Sequence, residues 1–141
     1  MTKEIAVLGA GMHPWGKWGR NFVEYGVDAA RTALADAGVE WRDIQFVAGA
    51  DTMRNGYPGY VSGATFAQAL GWSGAQVASS YAACASGVTA LASARAQILA
   101  GFCDVALVVG AEAELVVENL DAEHSIWRWK PVTEMGEEAD Q

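Results

Sequence analysis

From Asn55 to Ala94 the chain carries no Asp, Glu, Lys, Arg or His. A stretch of that length without charge is a poor solvated rim, because charged side chains are what normally face water. It has to run through the middle of a domain or along a surface shared with another chain. A membrane span needs about twenty largely apolar residues. Gly56, Pro58, Gly59, Ser62, Gly63, Gln68, Gly71, Ser73, Gly74 and Gln76 interrupt this run, so a span is excluded. What remains is a stretch rich in Gly, Ser and Ala, whose small side chains let helices and strands approach closely.

The sequence on either side of this run alternates between short apolar segments and helical patterns. Residues 4–9 read as a strand ending in glycine, and 10–21, with Gly11, Pro14, Gly16 and Gly19, as a loop. Residues 22–37 read as a helix with Val23, Val27, Ala30 and Leu34 on its apolar stripe and Gly38 as its stop. Residues 44–50 give a second strand, 51–59 a loop, 60–70 a short helix and 75–83 a third strand. Residues 84–100 give a helix whose only charge is Arg95, so most of its circumference is expected to be buried. The continuously apolar 104–110 gives a fourth strand. The order β-α-β-α-β-α-β predicts an α/β fold with a mainly parallel sheet and helices on both faces. No internal repeat or low-complexity segment interrupts it.

Charge divides the chain in two. Of its net charge of −8, residues 1–110 contribute almost nothing, whereas 111–141 hold nine Asp/Glu against Arg128 and Lys130. An acidic balance disfavours a nucleic-acid partner. The two cysteines, Cys84 and Cys103, form no C-x-x-C pair, and no histidine cluster suggests a metal. The N-terminus runs straight into the first apolar segment with no long apolar leader, so a cytoplasmic location is expected.

The sharpest chemical feature is Tyr81-Ala82-Ala83-Cys84-Ala85-Ser86-Gly87, where a strand pattern gives way to a helix pattern. A thiol there meets the positive end of the helix dipole and unpaired N–H groups, and both favour the ionised, reactive form of a thiol. Ala83, Ala85 and Gly87 leave room for a substrate. Position alone leaves two readings open, a nucleophile and a buried structural cysteine, because no base stands nearby in sequence.

Several segments carry a family resemblance. They are Ile5-Ala6-Val7-Leu8-Gly9-Ala10-Gly11-Met12 with the Pro14-x-Gly16-Lys17 loop, Ala83-Cys84-Ala85-Ser86-Gly87, and Gly101-x-Cys103-Asp104-Val105-Ala106-Leu107-Val108-Val109-Gly110. On these, residues 1–110 resemble the N-terminal half of the thiolase superfamily, in its lipid-transfer-protein or sterol-carrier-thiolase branch. Arg54-Asn55-Gly56-Tyr57-Pro58-Gly59-Tyr60 is similar to lipid-transfer proteins of steroid side-chain breakdown.

The resemblance implies that Cys84 is the acyl-accepting nucleophile, with Ala83, Ala85, Ser86 and Gly87 lining the substrate site. It also implies a lipid or steroid-derived acyl-CoA as substrate, coenzyme A as co-substrate rather than a bound cofactor, and a homodimer through the third-strand region. Ser79 and Tyr81 on that strand would face the partner. Some relatives instead carry out retro-aldol cleavage of a steroid side-chain acyl-CoA with a small OB-fold partner of the DUF35 type, and there Cys84 would only line the pocket.

Thiolases draw their catalytic histidines and a second cysteine from a mirrored second half, whose motifs this sequence lacks. The chain is therefore expected to be incomplete as an enzyme, with 111–141 either an acidic tail or the start of the loop insertion that precedes a fifth strand. A non-catalytic truncated or scaffold protein, pairing through its uncharged face, is the alternative from another class.

The remaining candidates have plain readings. His13 and His124 read as solvated or capping groups rather than bases. Gly9-Ala10-Gly11 lacks the third glycine and the correctly spaced acid of a dinucleotide site, since Pro14 and Asp51 stand wrong for both. Cys103 reads as a small buried hydrophobe. Trp15, Trp18, Trp41 and Trp72 read as core or interface anchors, Trp15 and Trp18 also as a cover for an apolar ligand.

Overall fold

The computed structural model describes residues 4–16, 18–51 and 61–111. Its first regular element, helix α1 (Phe22–Ala37), is fixed at both ends by local chemistry. Asn21 accepts from the Glu24 amide at 3.0 Å while the Glu24 carboxylate accepts from the Asn21 amide at 3.0 Å, which closes a capping box. At the other end Gly38 turns left-handed with φ 65°, and the Gly38 and Val39 amides bond back to the Ala35 and Leu34 carbonyls. A short 3-10 turn, Trp41–Asp43, leads into strand β1 (Phe46–Asp51). Helix α2 (Ser62–Leu70), strand β2 (Gln76–Tyr81), helix α3 (Ser86–Ala100) and strand β3 (Ala106–Gly110) follow.

All three strands are parallel, in the order β2-β1-β3. Phe46 pairs with Gln76 on one side and Ala106 on the other; Asp51 pairs with Tyr81. β1 is therefore central, and all six of its residues are buried. Its side chains alternate between two cores, as the period of two requires. Val47 joins Phe22 and Ala30 of α1, Phe66 and Ala67 of α2, and Leu107 and Val109 of β3. Phe46, Ala48 and Ala50 join Ala90 and Ala94 of α3 and Cys103. Helices α1 and α2 cover one face and α3 the other. This follows from the connections: the chain moves to one side of β1 through α2 and crosses to the other through α3, and right-handed crossovers in opposite directions place their helices on opposite faces.

Close approach makes this layering possible. A Cβ on Gly49 would stand 2.5 Å from the Gly63 Cα and from Ser62 Oγ, and one on Gly63 would run into the Ala78 carbonyl. The start of α2 thus lies directly on the backbones of β1 and β2, and only glycine fits either position.

Three expectations are corrected. Residues 4–9 form no strand, so the described sheet has three strands rather than four. An apolar run becomes a strand only where it enters a ladder, and residues 4–9 pair with neither edge strand, β2 or β3, of the described sheet. The segment instead lies against α1: Gly9 abuts the backbone at Ala33 and Ala37, and the Ala10 amide donates to Asp36 Oδ2 at 2.9 Å. Val7 and Leu8 stay exposed, lining a cavity of about 360 Å³ between this segment, α1, α3 and β3. Second, α3 is not buried around most of its circumference. Ser86, Ala90 and Ala94 form one buried stripe at a spacing of four, while Val88 and Leu91 are exposed. Third, Trp15 is 90% exposed and Trp72 61%, so neither is a core anchor. Trp18 is also exposed and donates its indole N–H to the Pro14 carbonyl, whereas Trp41 packs against the core and donates to the Gly71 carbonyl.

The element boundaries shift slightly. The second strand starts at Phe46, the third ends at Tyr81, the helix after Cys84 starts at Ser86 and the last strand starts at Ala106. Among the described residues no helix is long and apolar enough to cross a membrane.

Candidate active site at the β2–α3 junction

Parallel strands gather their carboxyl ends at one edge of a sheet, and in open α/β folds ligands bind outside that edge. Here the edge is formed by Asp51, Tyr81 and Gly110, and the chain leaves β2 through Ala82-Ala83-Cys84-Ala85 before α3 begins. The turn is tight. The Ala85 amide bonds to the Ala82 carbonyl at 3.0 Å and the Ser86 amide to the Ala83 carbonyl at 3.1 Å. Ala83 takes φ 48°, the one described non-glycine residue with positive φ. That conformation costs an L-residue roughly 1–2 kcal/mol. Strain of this kind persists where surrounding contacts over-determine it, and it clusters at functional sites.

The turn leaves Cys84 exposed as a free thiol. Ala83, Ala85 and Gly87 are exposed beside it, and a Cβ at Gly87 would meet nothing within 4 Å. The N-cap Ala85 offers no side-chain acceptor, so the first turn of α3 keeps its N–H groups free of a side-chain cap. The arrangement therefore presents a sulfur, helix amides and open space together.

Ser86 differs from its neighbours. It is 4% exposed, and its hydroxyl lies 2.8 Å from the Ala82 amide, 2.6 Å from the Asp51 carbonyl and 2.7 Å from the Ala83 carbonyl. Its side chain faces the sheet, away from the open space at Cys84.

The carboxyl edge contains two features that the sequence did not disclose. Ser79 and Tyr81, on one face of β2, reach the start of α2. The Gly63 amide donates to Ser79 Oγ at 2.9 Å and the Ser62 amide to Tyr81 Oη at 3.0 Å. The N-cap of α2, Val61, has no side chain able to cap, and the neighbouring strand supplies the missing acceptors. Asp51, buried at the end of the central strand, is the second feature. The only signal for either was position: Ser79 and Tyr81 share a face by the strand period, and Asp51 closes an otherwise apolar strand.

The other candidates fall elsewhere. His13 packs edge-on to Trp18 and tilted on Tyr25, and its Nδ1 lies 2.9 Å from the Pro14 carbonyl, so it belongs to the loop before α1. Among the described residues no base is hydrogen-bonded to Cys84. Cys103 is buried beneath α3, and burial together with Asp104 pushes its thiol above the ordinary value. His124 and the run 54–60 lie outside the described residues, as does 112–141. Among the described residues no group of three or more His, Cys, Asp or Glu could hold a metal.

Comparison with known proteins places this geometry. The family model described as Beta-ketoacyl synthase, N-terminal domain, matches residues 6–126. Among solved structures, an acetyl-CoA acetyltransferase from Syntrophomonas wolfei is similar at a TM-score of 0.65 and 25% identity, over 72% of this chain and 27% of that one. The present chain therefore spans little more than a quarter of that relative's length. No curated protein matches the sequence. With the parallel sheet, the flanking helices and a cysteine at the strand-to-helix turn already in place, the chain belongs to the beta-ketoacyl synthase N-terminal domain family, within the thiolase superfamily.

Proposed function

We propose that this chain supplies the nucleophile-bearing part of an acyl-CoA acyltransferase that makes or breaks a carbon–carbon bond. The observation that carries the reading is Cys84 itself: a free, exposed sulfur at the carboxyl edge of a parallel sheet, beside the uncapped start of α3. In the cleavage direction, the Cys84 sulfur attacks the 3-oxo carbonyl of a 3-oxoacyl-CoA. The C2–C3 bond breaks, its electrons pass to C2, which takes up a proton to leave as acetyl-CoA, and the acyl group stays on sulfur. Coenzyme A then accepts that acyl group and Cys84 is returned as a thiol. The uncapped amides at the start of α3 would stabilise a developing oxyanion in this reading. The base for the proton transfers would come from outside the described residues, in the second half that the thiolase resemblance implies.

The substrate we infer is a lipid or steroid-derived thioester. This rests on the likeness of the run Arg54–Tyr60 to lipid-transfer proteins of steroid breakdown. The family match extends past Ala111 to residue 126, which supports reading 111–126 as a continuation of the domain rather than an unrelated tail. The exposed Val77 on edge strand β2 supports a homodimer through the third-strand region.

A second reading, resting on the likeness of the run Arg54–Tyr60 to lipid-transfer proteins of steroid breakdown, is retro-aldol cleavage with a DUF35-type partner and Cys84 only lining the pocket. Replacing Cys84 with Ala in the full-length protein separates the two. Turnover of a 3-oxoacyl-CoA with coenzyme A falls to background if Cys84 is the acyl acceptor. Full turnover by the variant removes the thiolase mechanism, and full turnover that needs the OB-fold partner and resists thiol alkylation assigns the retro-aldolase.

A further inference from the structure

The β1–β2 ladder has a fixed rhythm. The Gln76 amide donates to the Gln45 carbonyl at 3.0 Å, and Phe46 faces Gln76 in register. Parallel strands repeat such bonds every two residues. Three steps along both strands bring the Asp51 carbonyl opposite the Ala82 amide, which would be the last rung. In this structure the Ser86 hydroxyl stands between them, accepting from the Ala82 amide at 2.8 Å with its oxygen 2.6 Å from the Asp51 carbonyl oxygen. A hydroxyl has one proton to give and can also accept, so it can relay a rung that two backbone groups would otherwise close directly. The Ala83 carbonyl, at 2.7 Å, competes for the same proton and ties the relay to the strained residue before Cys84.

We propose that Ser86 is a positioning residue for Cys84: its hydroxyl replaces the last rung of the β1–β2 ladder, parts β2 from β1 at Ala82, and so holds Ala83 left-handed and Cys84 outward. The proposal rests on the reading of Cys84 as nucleophile for its consequence in catalysis, but its geometry stands without that reading. Ser86 is itself buried and faces away from the open space at Cys84. Removing the hydroxyl lets Asp51 and Ala82 close on each other, which draws the turn inward and swings Cys84 away from its place.

The test uses the full-length protein with Ser86→Ala and Ser86→Thr, the second keeping a hydroxyl. Ser86→Ala is expected to lower kcat by about a hundredfold while KM stays within about twofold, the scale for an ångström-level displacement of a reacting atom. It is also expected to slow iodoacetamide labelling of Cys84 in the native protein, with the thermal midpoint and far-UV circular dichroism showing a folded chain. Ser86→Thr should restore both. Unchanged labelling and kcat in folded Ser86→Ala would overturn the proposal, as would equal loss in Ser86→Ala and Ser86→Thr. Amide exchange in the unmodified protein tests it without any variant. The Ala82 amide should be protected despite lacking a backbone acceptor, and rapid exchange there would overturn the proposal. Turnover by Cys84→Ala would refute the catalytic reading alone, since labelling of Cys84 and exchange at Ala82 still report on Ser86.

Discussion

The contact between α1 and α2 can be tested at one atom pair. A Cβ on Gly26 would stand 2.8 Å from the Phe66 Cζ and 3.0 Å from its Cδ1. Phe66 is wholly buried among Phe22, Val47 and Leu107, so its ring has nowhere to retreat. Alanine in place of an interior helical glycine normally gains about 1 kcal/mol. Overpacking a filled core costs about 1–3 kcal/mol. Gly26→Ala should therefore be neutral to destabilising by about 2 kcal/mol, against the helix-propensity expectation. Phe66→Leu removes the ring edge at a cost of about 1–2 kcal/mol. In that background Gly26→Ala meets no ring and should recover the helical gain. The double-mutant cycle then gives a favourable coupling of about 1–3 kcal/mol, within the range seen for residues in contact. Urea unfolding midpoints for the four full-length proteins at constant slope measure it. Additivity to within about 0.5 kcal/mol would mean that α1 and α2 do not meet at these residues.

Other outcomes follow from the same geometry. In the native protein a brief pulse of iodoacetamide should mark the peptide carrying Cys84 and spare Cys103, which is 6% exposed; the reverse pattern would contradict the placement of both thiols. The Cys103 thiol is held above its ordinary value when folded, so it costs nothing below that value, and stability is lost as pH rises through the folded one. Cys103→Ala should flatten the alkaline fall in thermal midpoint, and an unchanged fall would refute the assignment. Ser79→Ala and Tyr81→Phe each strip an acceptor from the first turn of α2 and should cost about 1 kcal/mol apiece, with faster amide exchange at Gly63 and Ser62 respectively. Unaltered exchange at both amides would show that β2 does not cap α2.

What the sequence revealed depended on whether the deciding contacts were local. Helix α1 was legible to the residue from its apolar stripe and the Gly38 stop, both of which are local in the chain. The Cys84 junction was legible because strand-like residues end at Tyr81 and a small-residue helix begins within a few positions. Residues 4–9 misled because an apolar run reports a wish for burial and does not say whether a helix or a strand edge will receive it; here it lies against α1. Ser86 shows a related limit. The run Ala83-Cys84-Ala85-Ser86-Gly87 puts a small polar residue at the junction, whereas the direction of its side chain depends on Asp51, thirty-five residues away. The roles of Ser79 and Tyr81 as caps, and the exposed flank of α3, also rest on tertiary neighbours that no local pattern encodes.

The central claim is that Cys84 accepts the acyl group. The direct measurement is to mix the full-length protein with a 3-oxoacyl-CoA in the absence of free coenzyme A, quench in acid, digest and weigh the peptides. The account predicts that the peptide containing Cys84 gains the mass of the shortened acyl group, and that coenzyme A added before the quench removes it. An unmodified Cys84 peptide under conditions where the substrate is consumed would contradict it.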